Sequence, residues 1–215
     1  MEVKELISSV DGYTRTAIAP AIVNMEKSNQ NLRDRLKGIN VYLIGMMGAG
    51  KTSVGRLLAQ HLDYHFFDTD AVIEQVAKKS INEIFASDGE ESFRKLESQV
   101  LSELSAYTKL AIATGGGIIL KRENWSYLQH GLVVWLDVPV ELLVARLQND
   151  TTRPLLKNAD IATEFPKRFE QRKPLYAQAD LHITVGEGQT PEQIATQVIE
   201  AIPTVLKPKP DNNGQ

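Results

Sequence analysis

Residues 45 to 55 read GMMGAGKTSVG and follow directly on an apolar run, VYLI, at 41 to 44. Gly45, Gly50, Lys51 and Thr52 satisfy G-x-x-x-x-G-K-[ST] in the strand-then-helix setting that the motif requires. Glycines there let the backbone turn its N–H groups onto a β-phosphate, and the positive end of the following helix adds to the attraction. Lys51 would bridge the β- and γ-phosphates as a point charge, and the Thr52 hydroxyl would ligate Mg²⁺. The bland alternative is a glycine turn with no ligand, and the flanking elements weigh against it. The loop binds a nucleotide; what the chain does with it depends on other residues.

Two further stretches offer acids. FFDTD places Asp68 and Asp70 on alternate positions, and on one face if the extended conformation continues. One carboxylate near a metal-bound triphosphate can help hold Mg²⁺ through its water shell, and the other can orient or deprotonate an acceptor hydroxyl. The structural alternative for the pair is an Asp-turn with a helix cap. LVVWLDVP resembles a Walker-B strand ending in Asp137, but with a single acid followed by Val-Pro a structural role is favoured there.

TGGG at 114 to 117 sits at another apolar strand end, where three glycines would leave backbone N–H groups bare for hydroxyls or phosphates. Arginine is shaped to grip a carboxylate in a two-point fork. Arg94 in FRKLE and Arg172 in RKPLY are candidates, although any single helix arginine is more often a solvated charge. Arg153, in TTRPLL, lies in a polar segment able to fold over a γ-phosphate as a lid, and Arg146 can stack on an adenine.

The elements that must position these groups follow from periodicity. VYLIG, YHFFD, LAIATGGG (110 to 117, running into glycines), LVVWLDVP (132 to 139, ended by Pro139) and LHITV read as five short strands. TSVGRLLAQHL puts Val54, Leu57, Leu58 and Leu62 at helical spacing. AVIEQVAKKS is a helix, and the stretch from 80 to 107 gives one or two more, broken near Gly89. VELLVARLQ is helical, TTRPLLKNAD loop-like, and FPKRFEQRKPLYAQA helical up to Lys173. The closing helix, PEQIATQVIEAI, has Thr190 as N-cap and Pro191 at its first position. Strands alternating with helices indicate an α/β fold with a parallel sheet, whose ligands sit at the strands' carboxyl ends. Those ends carry Gly45, Asp68, Gly115 and Asp137.

Residues 1–38 read as an extension, partly helical or mobile, 39–203 as the main domain, and 204–215 as a flexible tail. In 215 residues, 42% are apolar and 24% charged, as in an ordinary globule able to bury a core. A net charge of −3 gives no overall field to attract nucleic acid or anionic lipid. The absence of cysteine excludes disulfides, thiolate catalysis and cysteine zinc sites, and fits a reducing cytoplasm. AIAPAIV, near the N-terminus, is too short to span a bilayer, and the acids around it do not suit a transit peptide. His61 and His65 straddle a helix end and a strand start, His130 and His182 stand alone, and Trp125 and Trp135 read as core.

Taken in order, GMMGAGKTSVG, FFDTD, FRKLE, TGGG, RPLL and RKPLY resemble the shikimate kinases over about residues 40 to 202. The DVP and NW segments resemble those of plant and cyanobacterial members. The resemblance implies a three-layer α/β sandwich with a five-stranded parallel sheet, related to the P-loop nucleoside monophosphate kinases. It implies ATP as co-substrate with Mg²⁺, and shikimate as acceptor. Lys51 and Thr52 would serve ATP and the metal, with Asp68 supporting the metal through water. Gly48, Ala49, Gly50, Ser53, Arg146, Arg153 and Gln189 would complete the nucleotide site. Asp70 would bind the acceptor hydroxyl as candidate base, Arg94 and Arg172 would hold the shikimate carboxylate, and Gly115, Gly116 and Gly117 would line its pocket. Lys51, Asp70 and Arg153 form the expected catalytic set. A substrate-binding segment at about 70–100, a lid at about 148–162 and a cytoplasmic monomer are also expected, without nucleic-acid or membrane partners. A related small-molecule kinase, for gluconate or a nucleotide, and a nucleotide-binding regulator without transfer activity are the competing readings.

Overall fold

The computed structural model describes residues 32–148 and 161–206. Arg153, nearly all of the expected lid, most of the N-terminal extension and most of the tail lie outside the described residues.

Five strands form one parallel sheet in the order β2-β3-β1-β4-β5: β1 Val41–Ile44, β2 His65–Asp68, β3 Leu110–Ala113, β4 Leu132–Asp137 and β5 Leu181–Thr184. The three inner strands are apolar because helices cover both faces of a parallel sheet. Every residue of β1 and β3 is buried, whereas β5, at one edge, alternates buried and exposed. The chain leaves β1 for β2 and returns to β3 between them, then crosses to β4 on the other side. The strand order thus reverses direction beside β1, and this is where such sheets open a crevice at their carboxyl ends.

Helix α1, Lys51–Leu62, lays Val54, Leu58 and Leu62 on the sheet at four-residue spacing. Gly55 allows the close approach: a Cβ there would stand 2.7 Å from the Phe66 ring. Helix α2, Thr69–Ala77, begins immediately after β2, so the condition for a shared extended face, that the strand continue through Asp70, is not met. Asp68 stops it by accepting from the Asp70 N–H at 3.0 Å, as a cap does. Helices α3, Ile81–Ser87, and α4, Gly89–Ser105, are separated at Gly89, whose φ of 80° needs glycine. Ser80 and Glu83 start α3 with a reciprocal capping box.

Helix α5, Arg122–Leu128, and helix α6, Val140–Gln148, flank β4 in sequence. Helix α7, Ile161–Tyr176, runs three residues past Lys173, through Pro174. The proline disfavours helix at Lys173, but Phe165, Phe169 and Tyr176 are buried along the same face, and Ala177 N–H closes on Lys173 O at 2.9 Å. Packing here overrides the local preference. Helix α8, Pro191–Val205, has the expected Thr190 cap, joined by Gln193 in a second capping box, and passes Pro203. It therefore extends slightly into the segment read as tail.

Residues 32–36 are helical, and Leu32 and Leu36 are buried with the main core. Arg33 donates to His61 O at 2.7 Å, and Arg35 to Pro203 O at 3.2 Å, which ties this turn to the ends of α1 and α8. The last residues of the presumed extension thus belong to the packed body. Trp125 and Trp135 are buried as expected. His182 does not stand alone: it stacks on Trp135 at 4.2 Å and its Nε2 meets Asp137 Oδ2 at 2.8 Å. Among the described residues, no helix is long and apolar enough to cross a membrane.

Candidate active site

A cleft of 370 Å³ opens at the carboxyl ends of β1, β2 and β3. Its floor is the phosphate loop between β1 and α1. Gly50, with φ 89°, turns the chain into α1, and Gly45 passes so near Leu136 O that a Cβ would stand 2.7 Å away. Lys51 is buried, and its Nζ donates to Gly45 O and Met46 O at 2.8 Å each. The ammonium is thereby held inside the loop, where anionic oxygens would meet it.

Thr52 Oγ1 donates to Asp68 Oδ2 at 2.7 Å. Asp68 is therefore both a helix cap and the carboxylate beside the expected metal-ligating hydroxyl, so the two readings of that acid are compatible. Asp68 and Asp70 both line the cleft, although one ends a strand and the other lies in the first turn of α2. A hydroxyl and a carboxylate beside a phosphate cradle are hard oxygen donors in small number, which suits Mg²⁺, an ion that keeps most of its waters. Among the described residues no cluster of three or more His, Cys, Asp or Glu could hold a metal by itself.

Gly48 and Ser53 also line the cleft, but the buried Ala49 does not. Arg146, on α6, is not part of the cleft wall and donates to Gly48 O of the loop at 3.0 Å. Gln189 lies apart from the cleft and accepts from Gly186 N–H at 2.6 Å. Asp137 is engaged with His182 and is absent from the cleft wall, in keeping with the structural role favoured for it.

The opposite wall brings together residues distant in sequence. Arg94 on α4 and Arg172 on α7 both line it, with the triple glycine between. Each outer glycine leaves room for a functional group. A Cβ on Gly115 would lie 2.7 Å from Glu97 Oε1 and 2.8 Å from Asp70 Oδ1, and one on Gly117 would overlap the Arg94 guanidinium. Space, rather than backbone freedom, is what demands glycine at these two positions. The Gly115 N–H is not bare, as expected from sequence, but donates to Thr69 Oγ1 at 2.9 Å, which joins the β3 end to α2.

Several lining groups escaped the sequence reading. Glu97, fully buried, accepts from Arg94 Nη1 at 2.8 Å. Burial pushes its carboxyl above the ordinary glutamate range; Arg94 pulls the other way and Asp70 adds to the rise. Burial alone would depress the Arg94 guanidinium, but Glu97 and Glu90 together outweigh it and hold the cation more firmly protonated. Arg168 adds a third guanidinium to the wall, one helical turn before Arg172. Phe85 and Phe93, with ring centroids 4.7 Å apart, close the apolar side. Helical spacing from Arg94 and Arg172 would have flagged Glu97 and Arg168; the phenylalanines carry no such signal.

The cleft thus has a phosphate cradle on one side and, on the other, guanidinium groups, backbone and a carboxylate of a size to hold a small anionic polyol. The family model for shikimate kinase matches residues 47–203. A shikimate kinase of Nostoc punctiforme is 64% identical over 174 residues, covering 81% of this chain and 96% of that protein. Another, of Rippkaea orientalis, is 57% identical over 178 residues, covering 83% and 95%. The structure of shikimate kinase from Acinetobacter baumannii in complex with shikimate superposes with a TM-score of 0.74 at 37% identity, covering 80% of this chain and 97% of that one. With the matching model spanning well over half its length, the chain belongs to the shikimate kinase family.

Proposed function

We propose that this protein transfers the γ-phosphoryl group of ATP to the 3-hydroxyl of shikimate, giving shikimate 3-phosphate and ADP, a step in aromatic amino acid biosynthesis. The observation that carries the reading is the meeting of Asp70, Arg94, Arg172 and the triple glycine in one cleft with Lys51 and Thr52. Arg94 and Arg172 would fork the shikimate carboxylate, and the glycines would leave the ring space against the backbone. Asp70 would hold the attacking hydroxyl.

The new bond joins the shikimate 3-oxygen to the γ-phosphorus. The bond from that phosphorus to the β,γ-bridging oxygen breaks, with its electrons leaving on ADP. The hydroxyl proton passes toward Asp70. Lys51 and the lid arginine, Arg153, would neutralise charge on the transferring group, which is where most of the acceleration in a loose transition state arises. Thr52, with Asp68 through water, would hold Mg²⁺, which supplies charge neutralisation at the phosphates when bound. Gly48, Ala49, Gly50, Ser53, Arg146 and Gln189 are proposed as the remaining nucleotide contacts; Gly48 O is tied to Arg146 in support. Residues 39–203 would form the catalytic domain, with 70–100 engaging the acceptor and 148–162 closing over ATP.

The enzyme is proposed to act as a cytoplasmic monomer without nucleic-acid or membrane partners, in line with its net charge of −3 and its lack of cysteine. ADP release with ATP, Mg²⁺ and a panel of shikimate, quinate, gluconate and nucleoside monophosphates tests the assignment. Release with shikimate alone is expected; equal release with gluconate or a nucleotide would overturn the acceptor, and none with any acceptor would overturn transfer.

A further inference from the structure

Tyr176 is the last residue of α7 and is completely buried. Its ring stacks on Trp135 at 5.8 Å and 19°, and Trp135 stacks in turn on His182. A phenylalanine would fill that slot equally well. The hydroxyl is the unusual part, because burying it costs free energy unless it is used.

It is used where the triple glycine meets the phosphate loop. Tyr176 Oη donates to Gly116 O at 2.7 Å, in the middle of the triple glycine. Arg172, one turn earlier on the same helix, donates to that same carbonyl through Nη1 at 3.3 Å. Met46 Sδ of the phosphate loop lies 3.5 Å from the hydroxyl. Burial pushes the phenol up to about 12, against smaller opposing pulls that include Arg172, so the group remains a donor across the working range of pH.

We infer that Tyr176 is a positioning residue for the acceptor: its hydroxyl fixes the Gly116 carbonyl, and through it the aim of Arg172 and the set of the glycine backbone against the phosphate loop. The inference deepens the proposed function and rests on its assignment of Arg172 to the shikimate carboxylate. The shorter bond is the tyrosine's and the longer the arginine's, so the carbonyl is anchored chiefly by the former, and the arginine is set beside it.

Tyr176→Phe keeps the ring and its stack and removes only the donor. Loss of one buried hydrogen bond of ordinary strength predicts a rise of about 5-fold in KM for shikimate, with KM for ATP and kcat within about 2-fold. Combined with Arg172→Lys, the rise should fall short of the product of the two single effects. Amide hydrogen exchange at residues 114–118 of the protein without nucleotide or acceptor should be faster than in the wild type. An unchanged KM for shikimate, or a parallel rise in both KM values with a lower Tm, would overturn the positioning role and leave Tyr176 as packing only. If the wild type itself releases no ADP with shikimate, the proposed function fails. Exchange at 114–118 then decides the Tyr176 inference alone, faster supporting it and unchanged overturning it.

Discussion

Glu97 has one strong partner, Arg94, and a second oxygen, Oε1, that is buried without a hydrogen bond. Its folded pKa lies above the ordinary 4.5, so its contribution to stability is greatest below that value and is lost as pH rises through the folded pKa. Glu97→Gln has no such loss. Denaturant melts from pH 4 to 8 should therefore show the variant gaining on the wild type as pH rises, while its KM for shikimate worsens because Arg94 loses a brace. A stability difference independent of pH would refute the raised carboxyl. Asp70 also lines the cleft, and its assigned role is with the acceptor. Asp70→Asn should lower kcat by about 100-fold or more and leave the Kd for ATP within about 2-fold. Full turnover in that variant would remove Asp70 from the mechanism.

The strand ends and their glycine loops were legible at the level of elements because the motifs are local. A phosphate loop, Asp-Thr-Asp and triple glycine each complete their geometry within a few residues. What was not legible was how those pieces interlock. The sequence suggested bare N–H groups after β3, yet the structure spends one on Thr69 and reserves the glycines for clearance around Asp70, Glu97 and Arg94. Likewise the sequence left Asp70 between an extended continuation and a capped helix start, and the cap made by Asp68 decides for the helix. Tyr176 was hidden by the apparent stop at Lys173, because burial of an entire helix face outweighed a proline penalty that local rules count in full. Gly115→Ala follows from the clearance argument. Its Cβ must displace Asp70 or Glu97, so kcat should fall at least about 10-fold with nucleotide affinity nearly unchanged. A Gly115→Ala enzyme of normal kcat would show that the clearance is not needed for chemistry.

For the whole molecule, the sheet order places the donor and acceptor halves on either side of one crevice, at the carboxyl ends of β1 and β3. The opposite end of the sheet has its own tie. Asn40, buried before β1, donates to Tyr107 O at 2.8 Å and accepts from Leu110 N–H at 3.0 Å, which fixes the start of β3 beside β1. Asn40→Ala should cost about 2 kcal/mol of stability by orphaning both backbone groups, without changing KM for either substrate, since the cleft is at the far edge. An equal loss of stability and of shikimate affinity would mean that the two ends of the sheet are coupled more tightly than the architecture suggests. The parallel α/β plan was readable from alternation alone, but strand order was not, because spacing along the chain does not encode which strands become neighbours. The central claim is that one cleft joins ATP to the 3-hydroxyl of shikimate. Phosphorus and proton NMR of the product formed from ATP, Mg²⁺ and shikimate tests it most directly: the account predicts one ADP per shikimate phosphorylated at the 3-oxygen, and ADP release without that phosphate ester, or phosphate on another oxygen, would contradict it.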